Sequence, residues 1–256
     1  MTWSAQQYTK YEDERTRPVR DLVAAIPTLE PATVIDLGCG PGNSTEVLAA
    51  RYPAAQLVGM DSSPDMCAEA RKRLPHARID HAPIEAWSDG GPWGVIHANA
   101  VLHWVDDHPR LLPRLVSYLA PGGTLAIQMP DNLDEPAHVL MRELAAEPPW
   151  AAQLASAAAT RTAIATPAQF FNLLRPHCAR VEVWHTTYQH HLAGGIDAIV
   201  EWFKGSGLRP FLAPLESPAQ TEYLSRYRRR LVDAYPLLSD GGVLLPFPRL
   251  FIVATR

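Results

Sequence analysis

Ten residues, Val34-Ile35-Asp36-Leu37-Gly38-Cys39-Gly40-Pro41-Gly42-Asn43, restrict the fold more than any other stretch of the chain. Val34 to Leu37 reads as a short buried strand, because β-branched and aliphatic residues suit a covered parallel sheet. Gly38, Gly40 and Gly42 then make a tight turn that leaves bare backbone open to a ligand. Asn43-Ser44-Thr45 can cap a helix, and Glu46 to Ala50 has helical composition. Strand, glycine turn and helix form the ligand-binding end of a doubly wound α/β sheet. A tight turn in any α/β protein is the alternative.

The spacing separates ligand classes. Dinucleotide sites use G-x-G-x-x-G. Here the third glycine falls one residue early, at Gly42, and Asn43 stands where that pattern needs glycine. A pyrophosphate needs a helix N-terminus aimed at it; a cofactor without phosphates does not. The Asp-x-Gly-x-Gly-x-Gly run from Asp36 to Gly42 resembles motif I of the S-adenosylmethionine-dependent methyltransferases. Gln56 to Met60 reads as a second buried strand ending in Asp61, about 20 residues past the glycines, where an acid meets the two hydroxyls of a ribose. An Asp at a strand end also serves as a helix cap or a solvated residue. Ser63 is the expected N-cap of the next helix, with Pro64 at its first position and Asp65 in its first turn.

At 256 residues, one large domain or two small ones fit, with room for a substantial core. A hydrophobic fraction of 47% does not suggest disorder, and a net charge of −4 argues against a broad nucleic-acid-binding face. Cys39, Cys67 and Cys178 are odd in number and far apart, so neither a disulfide framework nor a metal pattern emerges. Cys39 reads as a small residue packed under the turn. No basic start leads into an early apolar segment, and no apolar run approaches 18 residues. The expectation is a soluble cytoplasmic protein with no membrane partner.

The N-terminal segment pairs aromatic and polar residues (Trp3 to Tyr8, and Tyr11) with a mixed-charge run, Glu12 to Arg17. It reads as a solvated face or as a lid. Pro18 opens a helix through Leu22, Val23 and Ile26. Further strands are expected at Arg78–Asp80, Trp93–Asn99 and Thr124–Gln128, with a helix over 111–119 broken by Pro121-Gly122-Gly123. Asn99 to Trp104 leaves its strand at the carboxyl edge, where such sheets bind ligands. His103 and Trp104 are therefore pocket candidates, although His103 serves equally well as a structural hydrogen bonder. From Leu133 the alternation stops. Alanine-rich helical material runs to about Ala165, and Thr166 caps the next helix. Val181 to Leu192 is a long strand. Ile196, Ile199, Val200 and Phe203 share a helical face, and Ser217 caps a helix carrying Tyr223, Tyr227 and Arg228 to Arg230. Pro248 to Ala254 is the last strand. The reading is one domain over 1–256: lid helices in 1–30, a cofactor-binding half in 31–132, and a C-terminal half with insertions at about 133–165 and 193–245.

Five βα steps and a late pair of strands resemble the class I methyltransferase layout, a seven-stranded Rossmann-like sheet with helical cap insertions. Longer blocks look like the trans-aconitate 2-methyltransferase family. They are Trp3 to Tyr8, Glu14 to Pro18, Asn99 to Trp104, Gln128 to Leu133, and Ile199 to Pro210 with Lys204 and Arg209 around a Gly-x-Gly bend. The resemblance implies methyl transfer from S-adenosylmethionine to one carboxylate of trans-aconitate, giving a monomethyl ester. It implies cofactor contacts from Asp36, Gly38, Gly40, Asn43, Asp61, Ser62, Ile84, Asn99 and Arg17. One position departs: Pro83 stands where related enzymes often place an acid near the adenine, so that contact falls to backbone, to Ile84 or to Trp87, with Asp80 a weaker substitute.

The chemistry asks little of side chains as bases. A sulfonium makes the methyl group electrophilic, and a carboxylate with a pKa near ~4 is ionised at neutral pH. No catalytic base is required. A tricarboxylate instead demands cations, and arginine pairs with carboxylates bidentately. Arg209 leads, because Gly205 and Gly207 can bend the chain to aim it inward. Lys204, Trp202, Tyr188 and His190 support it, with His103 as a further candidate. Tyr11 and Arg17 serve either the substrate or the carboxylate of the cofactor's methionine. A methyltransferase for another small acid or a phenol, the latter needing His103 or His190 as base, is one alternative. An NAD-dependent oxidoreductase and a non-catalytic cofactor-binding module are the others.

Overall fold

Seven strands make one sheet: β1 (Thr33–Leu37), β2 (Gln56–Asp61), β3 (Arg78–His81), β4 (Trp93–Asn99), β5 (Leu119–Pro130), β6 (Arg180–Leu192) and β7 (Val243–Thr255). Their order is β3-β2-β1-β4-β5-β7-β6. The computed structural model describes residues 12–88, 91–158 and 162–256; Tyr11 and the aromatic stretch before it lie outside them. β1 to β5 pair in parallel, with Asp36 opposite Gly59 of β2 and His97 of β4. The strand order reverses between β1 and β4, which opens a crevice at their carboxyl ends. Val34, Ile35, Leu37, Val95, Ile96, Ala98 and Leu125 to Ile127 are all buried, as expected of strands covered on both faces.

The chain divides into two compact units. Unit 1 comprises 1–130, 165–186 and 250–256; unit 2 comprises 131–164 and 187–249. In unit 1 the helices are α1 (Glu12–Ala24), α2 (Asn43–Arg51), α3 (Pro64–Arg73), α4 (His108–Ser117) and α7 (Pro167–Leu174). Ser63 caps α3 as expected, its hydroxyl accepting the Met66 N–H, and Thr166 with Gln169 forms a full capping box on α7. In unit 1 three expectations need correction. Pro18 lies inside α1 instead of opening it, because burial of Val19, Leu22 and Val23 carries the helix through. The residue capping α2 is Gly42, at φ 97°, and not Asn43, since the hydroxyls of Ser44 and Thr45 are turned to Asp36. Pro121-Gly122-Gly123 lies within β5 as an irregularity in the β4–β5 register, not as a break before it.

Unit 2 holds α5 (Pro136–Ala145), α6 (Ala151–Ala158), α8 (Gly195–Lys204), α9 (Arg209–Leu212) and α10 (Ser217–Ala234). The cap of α10 is Glu216, and Ser217 is already helical. Tyr223 and Tyr227, one turn apart on α10, donate to Met141 O and Ala137 O, and Tyr235 Oη accepts from Ala137 N. Three buried phenols thus tie α10 to α5. Arg228 pairs with Asp197 on the surface, and the part-buried Arg230 reaches Glu147 at 2.6 and 2.7 Å. β7 begins at Val243, five residues before its expected start. Among the described residues, no helix is long and apolar enough to cross a membrane.

Candidate functional site

A cleft of about 510 Å³ opens at the carboxyl ends of β1, β2 and β4, within unit 1. Its floor is the glycine turn. Gly38 and Gly40 both line it, with φ of 68° and 54°, a backbone that side-chain-bearing residues rarely adopt. Gly38 is additionally closed in: a Cβ there would lie 2.3 Å from Val101 Cγ2. At Gly40 a Cβ would meet nothing within 4 Å.

Asp61 ends β2 and joins the two halves of the cleft. Its Oδ2 accepts from Gly40 N at 2.9 Å and its Oδ1 from Ser63 N at 2.8 Å. Burial raises its pKa above the usual carboxylate value; the N–H groups of Ser63 and Gly40 oppose that shift, and the charge of Asp36 adds to it. Each carboxylate oxygen retains acceptor capacity beyond one N–H. Ser62, Ile84 and Asn99 also line the cleft, and Asn99 Oδ1 is buried with no hydrogen-bond partner among the described residues.

Other expected cofactor residues lie elsewhere. Asp36 is fully buried beneath the turn and does not line the cleft. Its Oδ2 accepts from Ser44 Oγ at 2.6 Å and Thr45 Oγ1 at 2.7 Å, and its Oδ1 lies 2.7 Å from His97 Nδ1. The carboxylate thereby ties the end of β1 to the start of α2 and to β4. Asn43 is half-buried at the start of α2, and Arg17 is exposed on α1; neither lines the cleft. Cys39 is buried under the turn, and burial together with the charges of Asp36 and Asp61 pushes its thiol far up, which rules it out as a nucleophile at neutral pH.

At the far wall Pro83 lines the cleft where the sequence lacked an acid, and Glu85, two residues on, lines it too. Sequence reasoning missed Glu85. The turn carrying it, Ile84–Ala86, is clamped by Arg114, whose guanidinium donates to Ile84 O and Glu85 O. Trp87 packs inward against Trp93 and Tyr118 and leaves the cleft to Ile84. Asp80 pairs with Arg78 at 2.6 Å. Trp104 lines the cleft and is 42% exposed, whereas His103 is half-buried against the Trp104 ring and is not part of the lining.

In unit 2 the structure gathers three of the expected acid-binding residues. His190 stacks on Trp202 (4.9 Å between centroids) and on Tyr188 (6.2 Å). Phe247 packs against both His190 and Trp202 at 5.8 and 5.9 Å, and the Arg249 guanidinium lies 4.6 Å from the Phe247 ring centre. Phe247 and Arg249 carried no motif in the sequence. Lys204 sits half-buried with its ammonium 2.5 Å from Glu201. Arg209 begins α9 and is half-buried. Neither Gly205 nor Gly207 adopts a left-handed backbone; Gly207 is needed for space, since a Cβ there would lie 3.0 Å from His138 Cε1.

A family model described as a methyltransferase domain matches residues 11–193. The trans-aconitate 2-methyltransferase of Methylobacterium nodulans is 56% identical over 254 residues, spanning 99% of this chain and 98% of that protein. Its counterpart from Variovorax paradoxus is 52% identical over 258 residues, spanning 100% and 99%. Among solved structures, the YcgJ protein from Bacillus subtilis superposes with a TM-score of 0.58 at 12% identity, covering 95% of this chain and 98% of that one. A Haemonchus contortus phosphoethanolamine N-methyltransferase 2 in complex with S-adenosylhomocysteine superposes at 0.55 and 17%, covering 95% and 53%; both likenesses concern the fold. With a seven-stranded class I sheet and relatives of this identity along nearly its whole length, the chain belongs to the trans-aconitate 2-methyltransferase family.

Proposed function

We propose that the chain is an S-adenosylmethionine-dependent carboxyl O-methyltransferase that converts trans-aconitate to its monomethyl ester. The observation that carries the reading is the unit 1 cleft in a chain of this family. A bare glycine turn, an Asp61 carboxylate and an orphaned Asn99 oxygen converge there, and these are the groups an adenosyl ligand requires. When bound, S-adenosylmethionine supplies a methyl group made electrophilic by its sulfonium.

The chain's residues bind and orient. Asp61 accepts from the ribose hydroxyls, Gly38 and Gly40 admit the ligand against the backbone, and Ser62, Ile84 and Asn99 complete its contacts. Asp36 acts from beneath the turn by fixing its shape. The acid's carboxylate is already ionised, so no residue need remove a proton. What remains is to strip water from that carboxylate and hold one oxygen in line within roughly 3–3.5 Å of the methyl carbon. Tyr188, His190, Trp202, Lys204 and Arg209 serve the acid, with His103, Tyr11 and Arg17 as secondary contributors.

Incubating the purified chain and methyl-labelled cofactor with a panel of di- and tricarboxylic acids tests the reading. Label in a monomethyl ester of trans-aconitate is expected. Label appearing only in a phenol, or in no acid, refutes it.

A further inference from the structure

His97 is fully buried in β4, and the parallel register sets it opposite Asp36 of β1, so the two side chains share one face of the sheet. His97 Nδ1 lies 2.7 Å from Asp36 Oδ1, while Asp36 Oδ2 takes the hydroxyls of Ser44 and Thr45 at the start of α2. An ionised carboxylate only accepts, so the imidazole proton of this pair stands on Nδ1. The other ring nitrogen, Nε2, is buried without a hydrogen-bond partner among the described residues. Packing alone would be met by an apolar ring; a buried imidazole with one bare nitrogen loses hydration that the bond to Asp36 must offset. Two residues on from His97, on the same face of β4, Asn99 lines the cleft with its orphaned oxygen. Two residues on from Asp36, Gly38 forms the cleft floor. The Asp36–His97 bond therefore joins two walls of the cleft one step beneath the ligand, where the strand order reverses.

We propose that His97 is a positioning residue for the cofactor: its Nδ1–H, acting through Asp36, sets the separation between the glycine turn and Asn99, and with it the affinity of the cleft for an adenosyl ligand. This rests on the function proposed above and adds a residue that no motif marks. The turn has little rigidity of its own, because Gly38, Gly40 and Gly42 bring no side chains to brace it. Its shape is held through Asp36, which grips the first turn of α2 with Oδ2. The donor on Oδ1 comes from β4, a strand flanked by β1 and β5 and therefore a fixed reference. Without that donor the carboxylate can rotate about its Cβ–Cγ bond. The start of α2 and the glycine turn then shift with it, while Asn99 stays with the sheet. A bond that merely held the sheet together would act on folding alone; this one acts on the ligand in the folded protein.

The test pairs calorimetric binding of S-adenosylhomocysteine with urea denaturation, so that affinity is read on folded protein. His97→Phe keeps the bulk of the ring and removes the donor, and the S-adenosylhomocysteine Kd should rise about 10-fold or more. His97→Asn places its amide nitrogen where Nδ1 stands and should hold the Kd within about 3-fold of wild type. His97→Gln, whose nitrogen reaches the Nε2 position instead, should bind as weakly as His97→Phe. In the wild type, long-range proton–nitrogen NMR of the imidazole should find the proton on Nδ1. A folded His97→Phe protein with Kd within about 2-fold of wild type overturns the proposal even where its denaturation midpoint falls, because a bond that serves only the fold behaves that way. A ring protonated on Nε2 alone overturns it too. Should His97→Phe fail to fold, the comparison of His97→Asn with His97→Gln decides, and equal Kd values for the two refute the assignment. A wild-type chain that binds no S-adenosylhomocysteine removes the function and this inference together; one that binds it while the His97 variants keep its Kd removes only the inference.

Discussion

Replacing Gly38 by Ala tests how the cofactor turn is built. Two separate penalties apply. The left-handed backbone, φ 68°, costs an alanine about 1–2 kcal/mol. The new methyl would also lie 2.3, 2.6 and 2.9 Å from Val101 Cγ2, Cβ and Cγ1, an overlap that must push Val101 or the turn aside. Overpacking of that kind adds about 1–3 kcal/mol, for a total of about 2–5 kcal/mol. Gly40 provides the internal standard. It has a similar φ of 54° but open space around its Cβ, so Gly40→Ala should lose only the backbone part, about 1–2 kcal/mol. Urea denaturation of the two variants measures the difference, and calorimetry with S-adenosylhomocysteine measures the cleft. Both variants should bind more weakly, Gly40→Ala because its methyl occupies space in a wall of the cleft. Val101→Ala in the Gly38→Ala background removes two of the three overlapping atoms and leaves Val101's Cβ position filled, so it should restore about 1 kcal/mol. If Gly38→Ala is no less stable than Gly40→Ala, the close approach of Val101 does not constrain the turn and the reasoning fails.

Asp36→Ala strands two buried hydroxyls and His97 Nδ1 and should cost about 3–5 kcal/mol in chemical denaturation; a loss under about 1 kcal/mol would mean the network does not hold the turn. Asp61→Ala should weaken S-adenosylhomocysteine binding about 10- to 100-fold, and unchanged affinity would remove Asp61 from the ribose contact. Because burial raises the native pKa of Asp61, the unfolded chain ionises first as pH rises. This residue's contribution to stability therefore falls between its reference value of 3.8 and the raised native value, and is constant above; thermal melts of wild type against Asp61→Ala across the acid range should show that sign. With no base in the mechanism, kcat/KM should be flat from about pH 6 to 9, whereas a limb near neutrality lost in His103→Ala or His190→Ala would assign one.

What the sequence made legible is what local physics decides. The apolar runs of β1, β2 and β4, the Ser63 and Thr166 caps and the glycine spacing depend on neighbours along the chain, and all appear as read. Asp36 shows the limit. Its position in the motif is visible, but its partners are set by the register that places it opposite His97, 61 residues away. It therefore supports the turn from below instead of lining the cleft. Glu85 carries no local signal, since Pro83 marks a missing acid and only the 3-10 turn beyond it brings another into the lining. Arg249 was hidden by its context. Pro246 and Pro248 argue locally against a strand, so the alternation that buries Phe247 and Arg249 could not be extended back to Val243. Tyr188, His190 and Trp202 were found only as candidates for holding an acid; that their rings stack on one another is set by non-local packing.

The last strand in chain order does not lie at the rim of the sheet. β7 runs between β5 and β6: just past its end Arg256 N–H donates to Gly123 O of β5 and Arg256 O accepts from Gly122 N–H, while Thr255 O accepts from Ala179 N beside β6. Until that strand emerges from the ribosome, β5 presents a raw edge of Leu125, Ala126 and Ile127, residues that end up wholly enclosed. Biogenesis is thus exposed to self-association from the completion of β5 until β7 is made, and a nascent chain stalled short of β7 should depend on chaperones in a way that the released protein does not.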